Sequence, residues 1–283
     1  ENINSAKIIS VCDINENLSK DVARKLNATP FFSIDDFLNQ DNLDLVFVLT
    51  ASGLHYEHAI KCLEKGKHVI TEKPIALKID HGNELIKLSK DKNLMCGVIY
   101  QNRYNPSIKY LSKKIKDKSF GKRVLSTVRL RWCRYPEYYS DSWHGSWEMD
   151  GGVIAQQAIH HLDILQWLGG EIKSVSATFT QRLNKLEADD TTVAIIEFAD
   201  GSLGALEATT SARPHDYEAS FSIVSEKGLI EVGGIALNEI IKWKLDDDMS
   251  EDEIKNKYSQ DVKDGFGLGH GPIIQDIVNR LDS

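Results

Sequence analysis

Several signatures that would assign this sequence to a class of protein are missing. It has no apolar run of about 18 residues, so no membrane-spanning helix is expected, and residues 1–5 lack a signal-peptide pattern. The four cysteines are far apart and form no C-x-x-C pair, which favours a reducing cytoplasm. Without H-E-x-x-H or a Cys/His ligand spacing, no metal is expected, and without G-x-S-x-G a serine hydrolase has no support.

The sequence also lacks the positive charge that a nucleic-acid partner requires. The 283 residues carry a formal net charge of −8, with 41% hydrophobic and 27% charged residues, which allows for two domains. No nucleic-acid partner is therefore expected. The one basic run, residues 109–123, follows a helical pattern and is interpreted as a solvated face, and the acidic residues 246–253 as an exposed loop.

The first part of the chain alternates short apolar strands with helices. Strands are predicted at 7–13, 45–49, 67–71 and 94–99, and helices at 17–26, 55–65 and 79–90. This order is typical of a Rossmann-type doubly wound parallel sheet, so we predict a dinucleotide-binding domain over residues 1–120.

Two strand ends in this domain carry residues suited to a cofactor site. Asp13 ends the first strand, where a dinucleotide fold binds the adenosine ribose hydroxyls, and its carboxylate favours NAD over NADP. Residues 71–74, Thr-Glu-Lys-Pro, end a later strand, because the proline blocks its continuation. Ligands bind beyond the carboxyl ends of such strands, so Lys73 is a candidate for chemistry. A solvated Glu72–Lys73 pair is the alternative.

After residue 120 the pattern changes to strands with short separators. Strands are predicted at 123–132, 172–182, 191–198, 202–209, 219–224 and 229–232. Residues 121–283 are therefore predicted to form a mixed, mostly antiparallel open-sheet domain for substrate binding and oligomerisation.

One long helix is predicted within this second domain, at 153–168. It is mostly apolar, yet it carries Gln156, His160, Asp163 and Trp167 at spacings of 4, 3 and 4 residues. Since each residue turns the helix by about 100°, these side chains share one face. A buried polar face needs hydrogen-bond partners, which makes it a candidate site. A hydrogen-bonded core histidine is the alternative for His160.

Together these segments resemble the Gfo/Idh/MocA family of NAD(P)-dependent sugar and cyclitol oxidoreductases, over essentially the whole chain. The resemblance is carried by residues 50–55 (Thr-Ala-Ser-Gly-Leu-His), 71–74, 102–106 (Asn-Arg-Tyr-Asn-Pro) and 151–163. It implies that Lys73 and His160 are the catalytic pair. Residues expected to bind the cofactor NAD are Asp13, Thr50, Ser52, His55, Glu72, Lys73, Asn102, Arg103 and Trp143.

Within that family, residues 143–152, 207–214 and 267–270 are similar to the UDP-N-acetylglucosaminuronate 3-dehydrogenase branch. In that branch an amide commonly replaces an aspartate four residues before the helix histidine, and here that residue is Gln156. We therefore expect oxidation of a secondary hydroxyl of a nucleotide-linked sugar at C3. Predicted substrate contacts are Lys73, Arg131, Tyr139, Gln156, His160, Asp163, Arg213 and His270. Exposed arginines and core packing of aromatic rings are the alternatives.

For the chemistry, His160 is expected to accept the hydroxyl proton and Lys73 to orient and polarise the alcohol, with the reverse assignment left open. An NAD-dependent glycosidase, a cyclitol dehydrogenase and a non-catalytic sugar or cofactor sensor are alternative functions. The presence of both Lys73 and His160 argues against the sensor. A homodimer or homotetramer through the open sheet face is also expected.

The family begins with a strand and a G-x-G-x-x-G turn, and this sequence contains neither. In a 3-2-1-4-5-6 sheet that strand lies at the centre. We therefore expect residues before Glu1 to supply it. The last residues, 280–283, also stop inside a helical pattern.

Overall fold

The computed structural model describes residue 3 and residues 5–281, so the predictions for the chain ends at 1–5 and 280–283 fall partly outside it. The chain forms two compact units: one contains the residues up to Ile99 and those from Ile274 onward, and the other is Tyr100–Ile273. No helix in the described part of the chain is both long and apolar enough to cross a bilayer.

The first unit alternates short strands with helices, as predicted. Its elements are β1 (Ser10–Cys12), α1 (Glu16–Leu26), β2 (Thr29–Phe31), α2 (Ile34–Leu38), β3 (Leu45–Val48), α3 (His55–Glu64), β4 (His68–Thr71), α4 (Ile79–Asp91) and β5 (Cys96–Val98). Local side chains set the helix starts: Asn15 accepts hydrogen bonds from two backbone N–H groups of α1, and Ser33 accepts one from α2.

The parallel strands of this unit form two separate sheets. β1 pairs with β2, β3, β4 and β5 pair in that order, and no strand among the described residues joins β1 to β3. The interruption falls where the predicted 3-2-1-4-5-6 order has its first strand. Both sheets nevertheless share one apolar core, in which Cys12 packs against a cluster that includes Val46, Val48 and Leu63.

The second unit is built on a larger sheet. Its elements are α5 (Pro106–Lys116), β6 (Arg123–Arg131), α6 (Gly152–Gln156), α7 (Ile159–Gly169), β7 (Ile172–Thr180), β8 (Thr191–Phe198), β9 (Leu203–Thr209), β10 (Glu218–Ser225), β11 (Gly228–Gly233), β12 (Glu239–Lys244), α8 (Glu251–Tyr258) and the start of α9 (His270–Leu281). The described residues form a seven-stranded sheet in the order β12-β11-β10-β6-β9-β8-β7.

This sheet is mixed and mostly antiparallel, which confirms the predicted fold class, and its parallel pair is β6 with β9. Alternate residues of β8 are buried, so Ile196 and Phe198 face a core that also contains Ile164 and Leu165 of α7. Fully burying one such side chain contributes roughly 1.5–3 kcal/mol. The core therefore fixes α7, which carries His160, against the inner face of the sheet.

The prediction of a single helix at 153–168 is wrong, because the structure has two helices there, α6 and α7. The backbone N–H groups of Gln157 and Ala158 both donate to the carbonyl oxygen of Val153, which widens one turn between α6 and α7. The regular spacing ends there. Gln156 therefore belongs to α6 and His160 to α7.

The acidic run at 246–253 is also not a simple exposed loop. Ser250 and Glu253 form a capping box that starts α8. The side chain of Asp247 is only 2% exposed and pairs with Lys114 at 2.8 Å, so part of the basic run is not solvated either. β12 was not predicted. Its Ile240 and Trp243 are buried, and its charged residues are Glu239, Lys242 and Lys244.

The two units divide ahead of residue 120, because α5 belongs to the second unit. Asn105 and Ser107 donate side-chain hydrogen bonds to the carbonyl oxygens of Ala236 and Leu237, at 2.6 and 2.7 Å. Leu111 of α5 is fully buried in the core of the second unit.

Candidate active site

In the first unit, the predicted cofactor residues follow the carboxyl ends of strands. Asp13 comes directly after β1, and its carboxylate accepts a 2.7 Å hydrogen bond from the backbone N–H of Asn15, the residue that caps α1. A half-buried carboxylate between a strand end and a helix start suits a ribose diol.

The loops after β3 and β4 leave the sheet at the same edge. The two strands are parallel, with Val48 opposite Thr71. His55 links the loops: its Nδ1 lies 2.6 Å from the carbonyl oxygen of Pro74, and its Nε2 lies 2.9 Å from that of Thr50. His55 and Ser52 are buried. His55 could therefore influence a bound cofactor only indirectly, by positioning the loops that contain Thr50 and Pro74.

Lys73 lies in the second of these loops and is half-buried. The backbone N–H of Glu72 donates to the carbonyl oxygen of Val48 at 2.9 Å, which extends the β3–β4 pairing by one bond. The backbone N–H of Lys73 then donates to the Glu72 carboxylate at 3.2 Å. The predicted strand-end position of Lys73 is thus set by backbone pairing.

In the second unit, a short 3-10 turn, Gln101–Tyr104, packs against α7. The side-chain Nε2 of Gln101 lies 3.5 Å from Nε2 of His160, and the ring of Tyr100 meets that imidazole edge-on at 6.0 Å between centroids. Gln101 and Asn102 are buried and His160 is half-buried. Sequence reasoning did not select Gln101, because nothing local connects it to a helix 59 residues away.

Arg103 and Asp163, predicted as cofactor and substrate ligands, bind each other. Nε and Nη2 of Arg103 donate to the two carboxylate oxygens of Asp163 at 2.7 and 2.5 Å. The Asp163 side chain is 7% exposed, and its hydrogen bond raises the pKa of Arg103. The guanidinium also covers the ring of Trp167 at 4.9 Å. This pair holds the turn against α7.

A second imidazole lies in the loop between β6 and α6. The Asp141 carboxylate is 2.6 Å from Nδ1 of His144 and accepts the backbone N–H of Trp143 at 3.1 Å. The rings of Trp143 and His144 stack at 3.6 Å. Tyr139 donates to the Thr210 hydroxyl at 2.9 Å, and burial raises its pKa to about 12. The Asp-x-x-His spacing at 141–144 is the signal that would have found His144.

The arginines predicted to bind a substrate anion have partners within the chain. Arg131 forms a bidentate pair with Glu207 at 2.6 and 2.9 Å. Arg213 donates to the Asn184 side chain at 3.0 Å and to the carbonyl oxygen of Ala212 at 2.7 Å. Their role as anion ligands stays a prediction.

Two further site residues are placed by their helices. His270 opens α9, with its ring 6.1 Å from that of Phe266, and Gln156 is buried at the end of α6. Among residues 3 and 5–281, no group of three or more His, Cys, Asp or Glu side chains is arranged to hold a metal ion.

Parallel strands that alternate with helices and carry polar residues at their carboxyl ends are typical of a Rossmann-type dinucleotide-binding unit, and here a mixed sheet covered by helices follows it. Two family models match the chain: the oxidoreductase family with an NAD-binding Rossmann fold at residues 1–100, and the GFO/IDH/MocA C-terminal domain at residues 108–231. The chain belongs to the GFO/IDH/MocA family, as predicted. The NAD-binding description of the first model also confirms NAD at the level of the family.

Individual known proteins differ in how similar they are to this chain. It is 34% identical to the WlbA dehydrogenase from Bordetella pertussis, solved in complex with NADH and UDP-GlcNAcA, with a TM-score of 0.93 over 98% of this chain and 80% of that one. Levoglucosan dehydrogenase from Pseudarthrobacter phenanthrenivorans is 26% identical over 78% of this chain. The chain spans 63% of that protein's length. The 2,7-anhydro-N-acetylneuraminate hydratase from Escherichia coli is 29% identical, with coverages of 94% and 74%.

Proposed function

We propose that the protein oxidises a secondary hydroxyl of a nucleotide-linked sugar with NAD, at C3 of a UDP-N-acetylhexosaminuronate. The supporting observation is the likeness to the WlbA dehydrogenase, 34% identical over 98% of the chain. Levoglucosan dehydrogenase bound to NADH is only 21% identical in the structural comparison, with a TM-score of 0.79.

The residues of the first unit fit parts of NAD. The Asp13 carboxylate beside the start of α1 suits the adenosine ribose. Residues 50–55 and Glu72, at the common edge of β3 and β4, would hold the nicotinamide side. When bound, NAD accepts a hydride from the alcohol carbon. The given sequence contains no G-x-G-x-x-G turn for the pyrophosphate.

The proposed chemistry needs one proton acceptor and one orienting group. As the alcohol carbon loses a hydride, its hydroxyl oxygen loses a proton to Nε2 of His160 and becomes the ketone oxygen. Lys73 orients that oxygen and stabilises the negative charge that develops on it. The proposed cofactor contacts also include Asn102, Arg103 and Trp143. The proposed substrate contacts also include Arg131, Tyr139, Gln156, Asp163, Arg213 and His270.

A substrate panel tests this function. The protein would be incubated with NAD and, separately, UDP-N-acetylglucosaminuronate, UDP-N-acetylglucosamine, levoglucosan and free inositols, and NADH would be followed by absorbance. We expect NADH only with the UDP-linked uronate, or at least a tenfold higher kcat/KM for it. An equal or higher kcat/KM for an inositol or levoglucosan would contradict the proposal and favour the cyclitol or sugar dehydrogenase alternative.

A second candidate function has support from one relative. The Escherichia coli hydratase is 29% identical over 94% of this chain, and its name describes a reaction without net oxidation. The NAD-dependent glycosidase alternative would retain NAD and return the hydride to an intermediate. Product formation from a sugar without accumulation of NADH, followed by NMR of the sugar, would identify it.

We also propose that copies of the chain associate through the outer face of the large sheet, in a cytoplasmic homodimer or homotetramer. On this face Val193 and Ile195 of β8 are 51% and 63% exposed, and neighbouring apolar residues of this kind mark interaction sites. Light scattering should give a mass of two or four chains, and Ile195→Asp should lower it. A monomeric mass for the unaltered protein would contradict the proposal.

A further inference from the structure

The imidazole of His144 is held by three neighbours. Its Nδ1 lies 2.6 Å from the Asp141 carboxylate, and its ring stacks on that of Trp143 at 3.6 Å and contacts that of Tyr138 at 4.5 Å. Its Nε2 has no hydrogen-bond partner among the described residues. The side chain is only 13% exposed, yet Nε2 is not one of the enclosed side-chain atoms without a partner. A ligand can therefore reach this nitrogen.

Asp141 decides which nitrogen of the ring carries the proton. Its carboxylate also accepts the backbone N–H groups of Trp143 and His144, at 3.1 and 2.9 Å. Desolvation opposes the charged form, but these bonds and the one from the imidazole together lower the pKa of Asp141. An ionised carboxylate only accepts hydrogen bonds, so Nδ1 of His144 is the donor. In the neutral imidazole, Nε2 then keeps its lone pair and can accept one hydrogen bond.

The segment that contains His144 lies beside the helices of the candidate site. The hydroxyl of Tyr138 is 3.5 Å from the side-chain nitrogen of Gln157, at the junction of α6 and α7 and three residues before His160. Trp143, whose ring stacks on His144, is a predicted cofactor residue. The imidazole is thus in contact with side chains that border the predicted site.

A sugar hydroxyl is the ligand group that suits this nitrogen. A lone pair needs a hydrogen-bond donor, which excludes fully ionised phosphates and carboxylates, because these only accept. The rings of Tyr138, 36% exposed, and Trp143, half-buried, provide beside it the apolar surface that is usual in ligand sites. A sugar offers both donor hydroxyls and C–H groups that pack on such rings.

We propose that His144 is a substrate-binding residue: its Nε2 accepts a hydrogen bond from a hydroxyl of the sugar substrate, and Asp141 is the positioning residue that keeps the imidazole proton on Nδ1. This role rests on the proposed function, because it requires a sugar as the substrate. His144 takes no part in the proton transfer to His160. It should therefore govern the affinity for the sugar.

The first test reads the position of the proton. In protein labelled with ¹⁵N-histidine, the neutral form of His144 should carry its proton on Nδ1. Asp141→Asn should reverse this tautomer: its amide oxygen can still accept the two backbone N–H groups, so its NH₂ group faces Nδ1 and the proton moves to Nε2. The same tautomer of His144 in both proteins would overturn the role of Asp141.

The second test measures affinity without turnover. The protein is loaded with NADH, which cannot accept a hydride, and is titrated calorimetrically with UDP-N-acetylglucosaminuronate. His144→Phe keeps a ring beside Trp143 and Tyr138 but removes the acceptor, and it should raise Kd about tenfold. His215→Phe replaces an exposed histidine of the same unit and should change Kd less than twofold.

The same ligand should move the ¹⁵N resonance of Nε2 of His144 in the unaltered, NADH-loaded protein. An unchanged Kd in His144→Phe, or an Nε2 resonance that the bound ligand does not move, would overturn the proposal. If levoglucosan or an inositol binds in place of the UDP-linked uronate, the proposed function fails, while both measurements repeated with that sugar still decide the role of His144. If none of these sugars binds, both the function and the role of His144 are wrong.

Discussion

The two units hold their candidate catalytic groups by different means. In the first, the backbone N–H next to Lys73 continues the pairing of two parallel strands. In the second, His160 depends on side chains: Gln101 at 3.5 Å and the Arg103–Asp163 pair. A backbone hydrogen bond survives most substitutions, whereas a side-chain contact is lost with one. The neighbourhood of His160 should therefore be more sensitive to single substitutions than that of Lys73.

A buried histidine in each unit shows the same difference. His55 contacts two carbonyl oxygens, of Thr50 and Pro74. His161 is fully buried, and neither of its ring nitrogens has a hydrogen-bond partner among the described residues. It meets Trp132 edge-on at 6.1 Å. His55 therefore joins two loops through its contacts. His161 joins nothing by hydrogen bonds, and burial without a partner favours its neutral form.

The largest expected effect comes from the group in the first unit. Lys73→Met should lower kcat by about 10³-fold, because it removes the group proposed to stabilise the developing charge. NADH binding, measured by fluorescence, should stay nearly unchanged. Lys78→Met, at an exposed position of the same unit, is the matched control. If Lys73→Met keeps most of the activity, Lys73 is only one half of a solvated Glu72–Lys73 pair.

The next effect is on stability and concerns His161. Burial lowers its pKa to about 4, against about 6.5 in the unfolded chain. Between these values the unfolded state binds more protons, so stability falls as the pH is lowered from 6.5 to 4. The free energy of unfolding, measured with urea at pH 7 and pH 4, should therefore fall by about 3 kcal/mol less in His161→Leu than in the unaltered protein.

The exposed His215 supplies the control for this measurement. His215→Leu should leave the pH dependence as it is. At pH 7, His161→Leu should be at least as stable as the original, because an apolar side chain replaces a ring without partners. An unchanged slope between pH 7 and pH 4 in His161→Leu would show that another group is responsible.

The smallest effect tests the backbone-held neighbourhood. His55→Leu removes the buried imidazole whose two nitrogens lie against the carbonyl oxygens of Pro74 and Thr50 and leaves at least one of these oxygens without its donor, which should cost about 1–3 kcal/mol. Hydrogen exchange should accelerate in the loops at 50–55 and 72–74, while β8 in the other unit stays protected. Equal acceleration in both units would mean that His55 supports global stability instead of these loops.

The sequence predicted what depends on neighbours along the chain. The strand-end positions of Asp13 and Lys73 follow from apolar runs and one proline, which are local signals. The pairing of Arg103 with Asp163 joins residues 60 positions apart, and no local pattern contains it. The division of the helix after Gln156 was missed for a related reason, because apolar periodicity does not show that two N–H groups share one carbonyl.

The order of strands in the large sheet also governs when this unit can fold during synthesis. β6 pairs with β9 on one side and β10 on the other, so its neighbours are made long after it. As the ribosome releases the chain, β6 therefore waits with both sides unpaired until residues 203–225 emerge. Chains with unpaired strand edges and exposed apolar surface are prone to aggregate. Slowing translation ahead of β9 would prolong this vulnerable interval.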